Sequence, residues 1–275
     1  MNTEPGRRPP LDEDRIAAWL GPDPGLAVEV VSDAPSTNAL VADFARQGAD
    51  DGLVIVADHQ TAGRGRLDRS WETPAGTALT FSVLLRPTMP AAAWPWLPLL
   101  TGRAVAKALT GLGYRAGVKW PNDILIGERK VAGILVERID SPAGPAAVVG
   151  VGINTGMTEA ELPVPTATSL SLEPGPQPPP DRTEVLIAVL AAIREAYDAW
   201  QLGGDAGVER LAESYSAGCV TVGQRVRIAL PEGSVLEGEA VAVDESGRLV
   251  VTSGDGRHEV GAGDVVHVRS VAPDH

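Results

Sequence analysis

The most informative stretch of the chain is Gly63-Arg64-Gly65-Arg66-Leu67-Asp68-Arg69-Ser70-Trp71. It places three arginines and two glycines within seven residues of a protein whose net charge is -13. Glycine lets the backbone approach a ligand closely, arginine pairs bidentately with phosphate or carboxylate, and tryptophan offers a face on which adenine can stack. This composition favours a flexible loop that closes over an anionic, nucleotide-containing ligand. For this segment alone, a solvated loop beside a core tryptophan is the alternative interpretation.

Four motifs occur in one order along the chain. They are Gln60-Thr61-Ala62-Gly63-Arg64-Gly65-Arg66, Lys119-Trp120-Pro121-Asn122-Asp123, Lys130-Val131-Ala132-Gly133-Ile134-Leu135 and Gly150-Val151-Gly152-Ile153-Asn154. Any one of them alone is a weak signal, whereas four in this order are specific. The set resembles the catalytic core of biotin protein ligases, over roughly residues 30 to 270.

This resemblance implies both a fold and an activity. The fold is α+β, with a mixed-sheet catalytic domain and flanking helices followed by a small SH3-like β-barrel. The activity is that of an ATP-dependent biotin–[acetyl-CoA-carboxylase] ligase. Such an enzyme activates biotin with ATP to biotinyl-5′-AMP and then transfers biotin to a lysine of a biotin carboxyl carrier protein. Two alternatives stay open: a lipoate or octanoate ligase of the same superfamily, and a regulator that binds biotinyl-AMP without catalysis.

Composition and charge narrow the class of protein. The 275 residues suffice for one large domain or two smaller ones, and 44% of them are hydrophobic. No apolar run approaches the ~20 residues that cross a bilayer, and residues 1–15 carry no apolar signal segment, so a cytoplasmic protein is expected. A single cysteine, Cys219, excludes an intrachain disulfide and a multi-cysteine zinc site. The acidic charge argues against non-specific DNA binding, which needs clustered Lys and Arg.

Local patterns predict two domains. Buried-strand patterns cover residues 52–57, 77–85, 123–126, 131–139 and 146–153, and helical patterns cover residues 11–20, 36–47, 97–112, 183–200 and 208–216. From Cys219 onward, aliphatic residues recur in short alternating runs split by glycines, which predicts a small antiparallel barrel. The expected divisions are a partly disordered N-terminal segment at 1–25, the catalytic domain at 26–217 and the barrel at 218–275.

The segment ahead of the motifs is short. About 35 residues precede Ser36-Thr37-Asn38, too few for a helix-turn-helix domain and a linker. Some biotin ligases carry such a domain and act as repressors. The expected form is therefore the monofunctional one, with no specific DNA partner and no membrane partner.

The chemistry of acyl-adenylate formation selects the candidate catalytic residues. A carboxylate is a poor electrophile, so the site must neutralise it and a triphosphate while holding both in line. The candidates are Lys119, Asp123, Lys130 and Arg66. In the family pattern, the lysine that matches Lys130 contacts the biotin carboxylate and the adenylate phosphate. Asp123 is a candidate base for the acceptor lysine; the alternatives are a solvated surface charge for each lysine and a turn-forming role for Asp123.

Two further sets of residues are the candidates for substrate binding. A ureido ring offers N–H donors and one carbonyl acceptor, which hydroxyl and amide side chains can satisfy. The predicted biotin set is Ser36, Thr37, Asn38, Gln60, Gly63, Arg64, Gly65, Arg66, Lys130 and Gly133. The predicted nucleotide set is Arg66, Arg69, Trp71, Asn122, Lys130 and Asn154. A helix N-cap is an alternative role for Ser36, and a strand-end turn is one for Asn154. Biotin and ATP are the implied substrates, Mg²⁺ is expected, and the metal ligands stay open.

Overall fold

A computed structural model describes residues 8–21, 25–67, 69–231 and 233–268. Its larger part is a seven-stranded mixed sheet flanked by helices. The strands are β1 (Ala27–Ala34), β2 (Leu53–Gln60), β3 (Ala78–Leu85), β4 (Ala116–Lys119), β5 (Asp123–Ile126), β6 (Arg129–Ile139) and β7 (Ala146–Asn154), and the helices are α1 (Glu13–Leu20), α2 (Thr37–Arg46), α3 (Trp96–Gly111) and α4 (Arg182–Gly218). The strand order is β1-β2-β3-β7-β6-β5-β4. Strands β1 and β2 are parallel, and the other neighbours are antiparallel.

The two faces of this sheet are covered differently. One face packs its alternate apolar side chains, such as Phe81, Val149 and Val151, into the main core with α3 and α4. On the other face, α2 covers one end through a smaller cluster that includes Val41 and Val148. The remaining part of that second face carries glycines on the central strands, so it is left open. This opening is where the ligand site forms.

A second, five-stranded antiparallel sheet follows α4. Its strands are β8 (Arg225–Ala229), β9 (Val235–Val243), β10 (Leu249–Ser253), β11 (Gly256–Val260) and β12 (Asp264–His267), in the order β11-β10-β9-β8-β12. Its interior is aliphatic, with Val226, Ile228 and Leu249 fully buried. The fold class expected from the sequence is therefore confirmed: a mixed sheet with flanking helices, followed by a small antiparallel β-domain of SH3-like type.

Two buried tryptophans of the larger part, Trp96 and Trp120, contact the smaller sheet. The indole N–H of Trp96 donates to the carbonyl of Glu245 at 2.7 Å, and that of Trp120 donates to the carbonyl of Gly247 at 3.0 Å. Both rings are almost completely buried, with 1% of their surface exposed. Each interaction combines a large apolar contact with a satisfied polar atom, which is how buried tryptophan stabilises an interface. The turn at residues 244–247 therefore accepts a hydrogen bond from each of the two tryptophans.

Most element boundaries lie close to the sequence predictions, but strands β1 and β4 were not predicted. The two helices predicted at 183–200 and 208–216 are present within Arg182–Gly218 and are separated by a kink at the non-helical residue Gly204 (φ 52, ψ -150). The N-terminal helix begins at Glu13 rather than Leu11, because Asp12 caps it by accepting from the Arg15 amide. Of the segment at 1–25 that was expected to be partly disordered, residues 1–7 and 22–24 lie outside the described residues. Among the described residues, none of the helices has the length and apolar character that a membrane crossing requires.

Candidate functional site

The open part of the large sheet forms a cavity of about 140 Å³. The start of α2, the end of β2, the 63–71 loop, the β4–β5 turn and strands β6 and β7 surround it, and Asp264 of the smaller sheet completes the wall. Most of the sequence-predicted site residues come together here: Ser36, Thr37, Asn38, Gln60, Arg64, Gly65, Arg66, Arg69, Trp71, Asn122, Asp123, Lys130 and Gly133 all line it. Residues separated by more than 90 positions therefore share one cavity.

Glycines make the floor of the cavity. A Cβ atom at Gly150 would lie 2.1 Å from Asn38 Oδ1, and one at Gly152 would lie 2.6 Å from Trp71 Cε2. A Cβ at Gly133 would lie 3.1 Å from Lys130 Nζ. None of these three has a positive φ, so the space above the sheet, and not the backbone conformation, is what requires glycine.

The 63–71 loop folds over this floor as a compact turn. The amide of Gly65 donates to the carbonyl of Arg69 at 2.7 Å, and the amide of Trp71 donates to the carbonyl of Gly63 at 2.9 Å. Leu67 adopts a positive φ of 56°, a conformation that costs non-glycine residues energy and concentrates at functional turns. These two hydrogen bonds and the Leu67 conformation hold the loop over the glycine floor.

Each arginine of the loop contacts a different element. Arg64 donates to Glu137 of β6 at 3.0 Å, and Arg66 donates to Asn122 of the β4–β5 turn at 2.9 Å. Arg69 forms an ion pair with Asp264 of the smaller sheet, and this pairing raises the pKa of the guanidinium. Burial lowers the pKa of Arg66, because desolvation disfavours the charged form. An anionic ligand beside these groups would gain from all three positive charges.

The Trp71 indole lies against the glycine floor. Its ring is near Gly152, and the ammonium of Lys130 lies 5.8 Å from the ring centroid. The indole Nε1 is buried and has no hydrogen-bond partner within the described part of the chain. Buried donors are normally satisfied, so this atom marks a place where a bound molecule can supply an acceptor.

The Lys130 ammonium contacts the Asp123 carboxylate at 2.6 Å. In a regular strand, Lys130 and Gly133 would point to opposite faces, because they are three residues apart. An irregularity in the β5–β6 pairing removes this conflict, since Ile124 opposes Ala132 while Leu125 opposes Lys130. Backbone hydrogen bonds of 2.8 Å to Thr166 and Thr168 then hold Lys130 from the other side. The pairing irregularity and the backbone hydrogen bonds together hold Lys130 over the cavity.

A line of polar side chains lies beneath the cavity. Thr37 donates its amide to Gln60 Oε1 at 2.7 Å, and the two side-chain oxygens lie 3.1 Å apart. Ser82 Oγ lies 2.8 Å from Thr37 Oγ1 and 2.6 Å from Asn38 Oδ1. Asn38 Nδ2 donates to Glu137 Oε2 at 2.7 Å. We call Gln60, Thr37, Ser82, Asn38 and Glu137 the floor chain.

Ser36 occupies the N-cap position of α2, as the alternative role predicted, but its hydroxyl makes no capping hydrogen bond. The side chain is buried, with 5% of its surface exposed, and it lines the cavity. N-cap serines usually spend their hydroxyl on the helix backbone. Here that hydroxyl stays available to a ligand.

Three predicted residues lie outside the cavity lining. Lys119 is on the edge strand β4, and its charge acts with burial, the larger cause, to lower the pKa of His267 in the smaller sheet. Asn154 is buried and donates to the carbonyl of Thr168 at 2.9 Å. Gly63 supports the loop through its hydrogen bond to Trp71. The structure therefore places these three beside the site rather than in its wall.

Three residues at or beside the site were not predicted from the sequence: Asp264, which lines the cavity, and Glu137 and Ser82, which contact lining residues. A signal for Glu137 exists, because it follows Gly133 and Leu135 at spacings of two on one face of β6. Asp264 had no local signal, since its partner Arg69 lies 195 residues away.

Comparisons with known proteins agree with this geometry. The chain matches the biotin/lipoate A/B protein ligase family over residues 30–154 and the biotin protein ligase C-terminal domain over residues 221–268. It is 40% identical over 270 residues to the biotin–[acetyl-CoA-carboxylase] ligase of Mycobacterium tuberculosis, covering 95% of this chain and 97% of that protein. The enzyme of the same name from Paracoccus denitrificans is 33% identical, covering 84% and 96%. The biotin protein ligase of Aquifex aeolicus, solved in complex with biotin and ATP, superposes with a TM-score of 0.74 at 28% identity, covering 88% and 99%.

Proposed function

The chain belongs to the biotin protein ligase family, and on that premise we propose how its cavity performs the reaction. The protein is an ATP-dependent biotin ligase. Its cavity binds biotin and ATP, joins them as biotinyl-5′-AMP with release of pyrophosphate, and passes biotin to a lysine of a biotin carboxyl carrier protein. The observation that carries this proposal is the convergence of Arg64, Arg66, Arg69 and Lys130 on one glycine-floored cavity.

The four cations match the charge that adenylate formation must manage. The biotin carboxylate and the α-phosphate repel each other, so attack requires positive charge between them. Lys130 reaches over Gly133 at the cavity floor, and the half-buried Arg66 faces the same space. We assign Lys130 and Arg66 to the reacting carboxylate and phosphate, and Arg69 to the departing pyrophosphate. Trp71 then supplies the face for adenine.

Asp123 serves the second half-reaction in this proposal. Its carboxylate contacts the Lys130 ammonium at 2.6 Å, which neutralises the pair before substrates bind. When Lys130 turns to the adenylate phosphate, Asp123 is released to accept a proton from the incoming lysine amine. The amine then attacks the acyl carbon, and AMP leaves.

Mg²⁺ enters with the nucleotide in this proposal. The described residues contain no group of three or more His, Cys, Asp and Glu side chains that could hold a metal. Mg²⁺ is commonly held by one or two carboxylates, water and the phosphates of the substrate. Asp123 and Asp264 are the two carboxylates of the cavity wall, and they are the groups that fit a phosphate-bound Mg²⁺.

The test is direct. The purified chain is incubated with Mg²⁺, ATP and either biotin or lipoate, and pyrophosphate release is measured. A carrier domain is then added with its acceptor lysine intact or replaced by arginine. We expect pyrophosphate release with biotin but not with lipoate. Biotin should label only the carrier domain that keeps its acceptor lysine. Activity with lipoate and none with biotin would instead establish the lipoate alternative. Biotin binding with neither product would point to the non-catalytic regulator.

A further inference from the structure

The floor chain ends in a carboxylate that does not line the cavity. Glu137 lies one side chain beyond Asn38 and is 29% exposed. It accepts from Asn38 Nδ2 at 2.7 Å on one side and from Arg64 at 3.0 Å on the other. Gly150 makes this arrangement possible, because a Cβ there would lie 2.1 Å from Asn38 Oδ1. One acidic group thus contacts both the floor and the loop of the site.

A carboxylate fixes the direction of the hydrogen bonds along the floor chain. An ionised carboxylate and a backbone carbonyl only accept. Asn38 therefore turns its NH₂ group to Glu137 at 2.7 Å, with a longer contact of 3.4 Å to the carbonyl of Leu135, and its carbonyl oxygen to Ser82. The Ser82 hydroxyl has one proton, and the carbonyl of Asn38, at 2.6 Å, requires it. The Ser82 oxygen then receives its own hydrogen bond from Thr37, 2.8 Å away.

Thr37 consequently faces the ligand as an acceptor. Gln60 Oε1 already receives the Thr37 amide at 2.7 Å. The Thr37 hydroxyl oxygen lies 2.8 Å from Ser82 Oγ and 3.1 Å from Gln60 Oε1, so we direct its proton to Ser82, the shorter of the two contacts. With its proton directed to Ser82, the Thr37 oxygen presents lone pairs to the cavity. An N–H donor is the group that this surface recognises.

We propose that Glu137 is a positioning residue that sets the polarity of the floor chain, so that Thr37 accepts from a ureido N–H of the ligand. This inference rests on the proposed biotin ligase function. It assigns the effect to the contact with Asn38, while the contact with Arg64 serves the loop. Glu137 itself touches no substrate.

The experiment compares two replacements of the same residue. Glu137→Met keeps the length of the side chain but removes the acceptor, whereas Glu137→Gln retains an oxygen that can accept from Asn38. Removing one charge-assisted hydrogen-bond partner corresponds to a loss of about 10- to 100-fold in affinity. We expect the biotin Kd of Glu137→Met, measured by calorimetry, to rise by that factor while kcat at saturating biotin stays near wild type. Glu137→Gln should recover most of the affinity.

Three further measurements separate the outcomes. Ser82→Ala interrupts the floor chain elsewhere and should weaken biotin in the same way, even if a Glu137 variant folds poorly. Glu29→Gln, which removes a carboxylate from the exposed face of β1, is the matched charge control, and thermal unfolding checks each fold. If Glu137→Gln and Glu137→Met weaken biotin binding equally, the effect arises from the lost charge beside Arg64 and the proposal is wrong. Unchanged biotin affinity in both variants would also overturn it. If the wild-type protein does not bind biotin, the proposed function is wrong, and this outcome is distinct from a failure of the role assigned to Glu137.

Discussion

Replacing Gly152 with alanine tests the packing of the glycine floor against the loop. Gly152 lies toward the C-terminal end of β7, between Thr80 and Gly133 of the neighbouring strands. Its backbone conformation is accessible to alanine, since its φ is not positive. The added Cβ would lie 2.6 Å from Cε2 and 2.7 Å from Cζ2 of Trp71. The indole must therefore leave the floor, while the strand itself need not move.

The expected effect on stability is small. Alanine is favoured over glycine inside a strand by about 0.5–1 kcal/mol, and this gain offsets part of the packing that the partly exposed Trp71 loses. The effect on the nucleotide is larger. Stacking of a base on an aromatic ring contributes about 1–3 kcal/mol, which corresponds to about 5- to 150-fold weaker ATP binding. The variant should separate folding from binding.

Calorimetric titration with ATP, with thermal unfolding in parallel, measures both quantities. Gly111→Ala is the matched control, because a Cβ at Gly111 meets no atom within 4 Å. The control should bind ATP as the wild type does. Wild-type affinity in Gly152→Ala would refute the role assigned to Trp71. So would an equal loss in both variants, since the effect would then not depend on the space above the floor.

Three other substitutions give distinct outcomes. Lys130→Ala should lower the rate of pyrophosphate release by ~10³-fold or more with little change in Tm, because the side chain is 36% exposed. Hydrogen bonds from Thr158 and Arg8 lower the pKa of Glu161 from 4.5 to about 2, so their stabilisation is complete above pH 4.5 and is lost as the pH falls toward 2. Glu161→Gln should therefore lose less stability over that interval than the wild type, by a small margin because the group is exposed, in pH-dependent thermal melts. Trp120→Phe should lower the free energy of unfolding in urea by about 1–3 kcal/mol or more, since it leaves a buried carbonyl of the smaller sheet unpaired.

Sequence patterns predicted the elements better than the contacts between them. The β5–β6 hairpin and the start of α2 follow from local periodicity and turn residues, and they are where the sequence placed them. The two-residue alternation of a regular strand would place Lys130 and Gly133 on opposite faces of the sheet. The pairing irregularity that brings them to one face depends on the neighbouring strand β5. The kink at Gly204 also lies where the sequence placed a break, between the helices predicted at 183–200 and 208–216.

The candidate site shows the same division. The composition of the loop predicted that its arginines bind an anionic ligand. It did not predict their protein partners, because Glu137 and Asp264 lie far away in sequence. Lys119 shows how the position of a strand in the sheet determines what a side chain contacts. Its motif suggested the cavity, whereas the position of β4 at the sheet edge brings its charge to His267. Long-range packing decides such cases.

The ion pair between Arg69 and Asp264 also has a consequence for biosynthesis. The two residues are separated by 195 positions, and a ribosome adds about 5–20 residues per second, so Asp264 is made roughly 10–40 s after Arg69. During that interval the large sheet can fold while Arg69 lacks its ion-pair partner. A nascent chain thus acquires a finished cavity wall only when the last strand has docked, and premature termination leaves the wall incomplete.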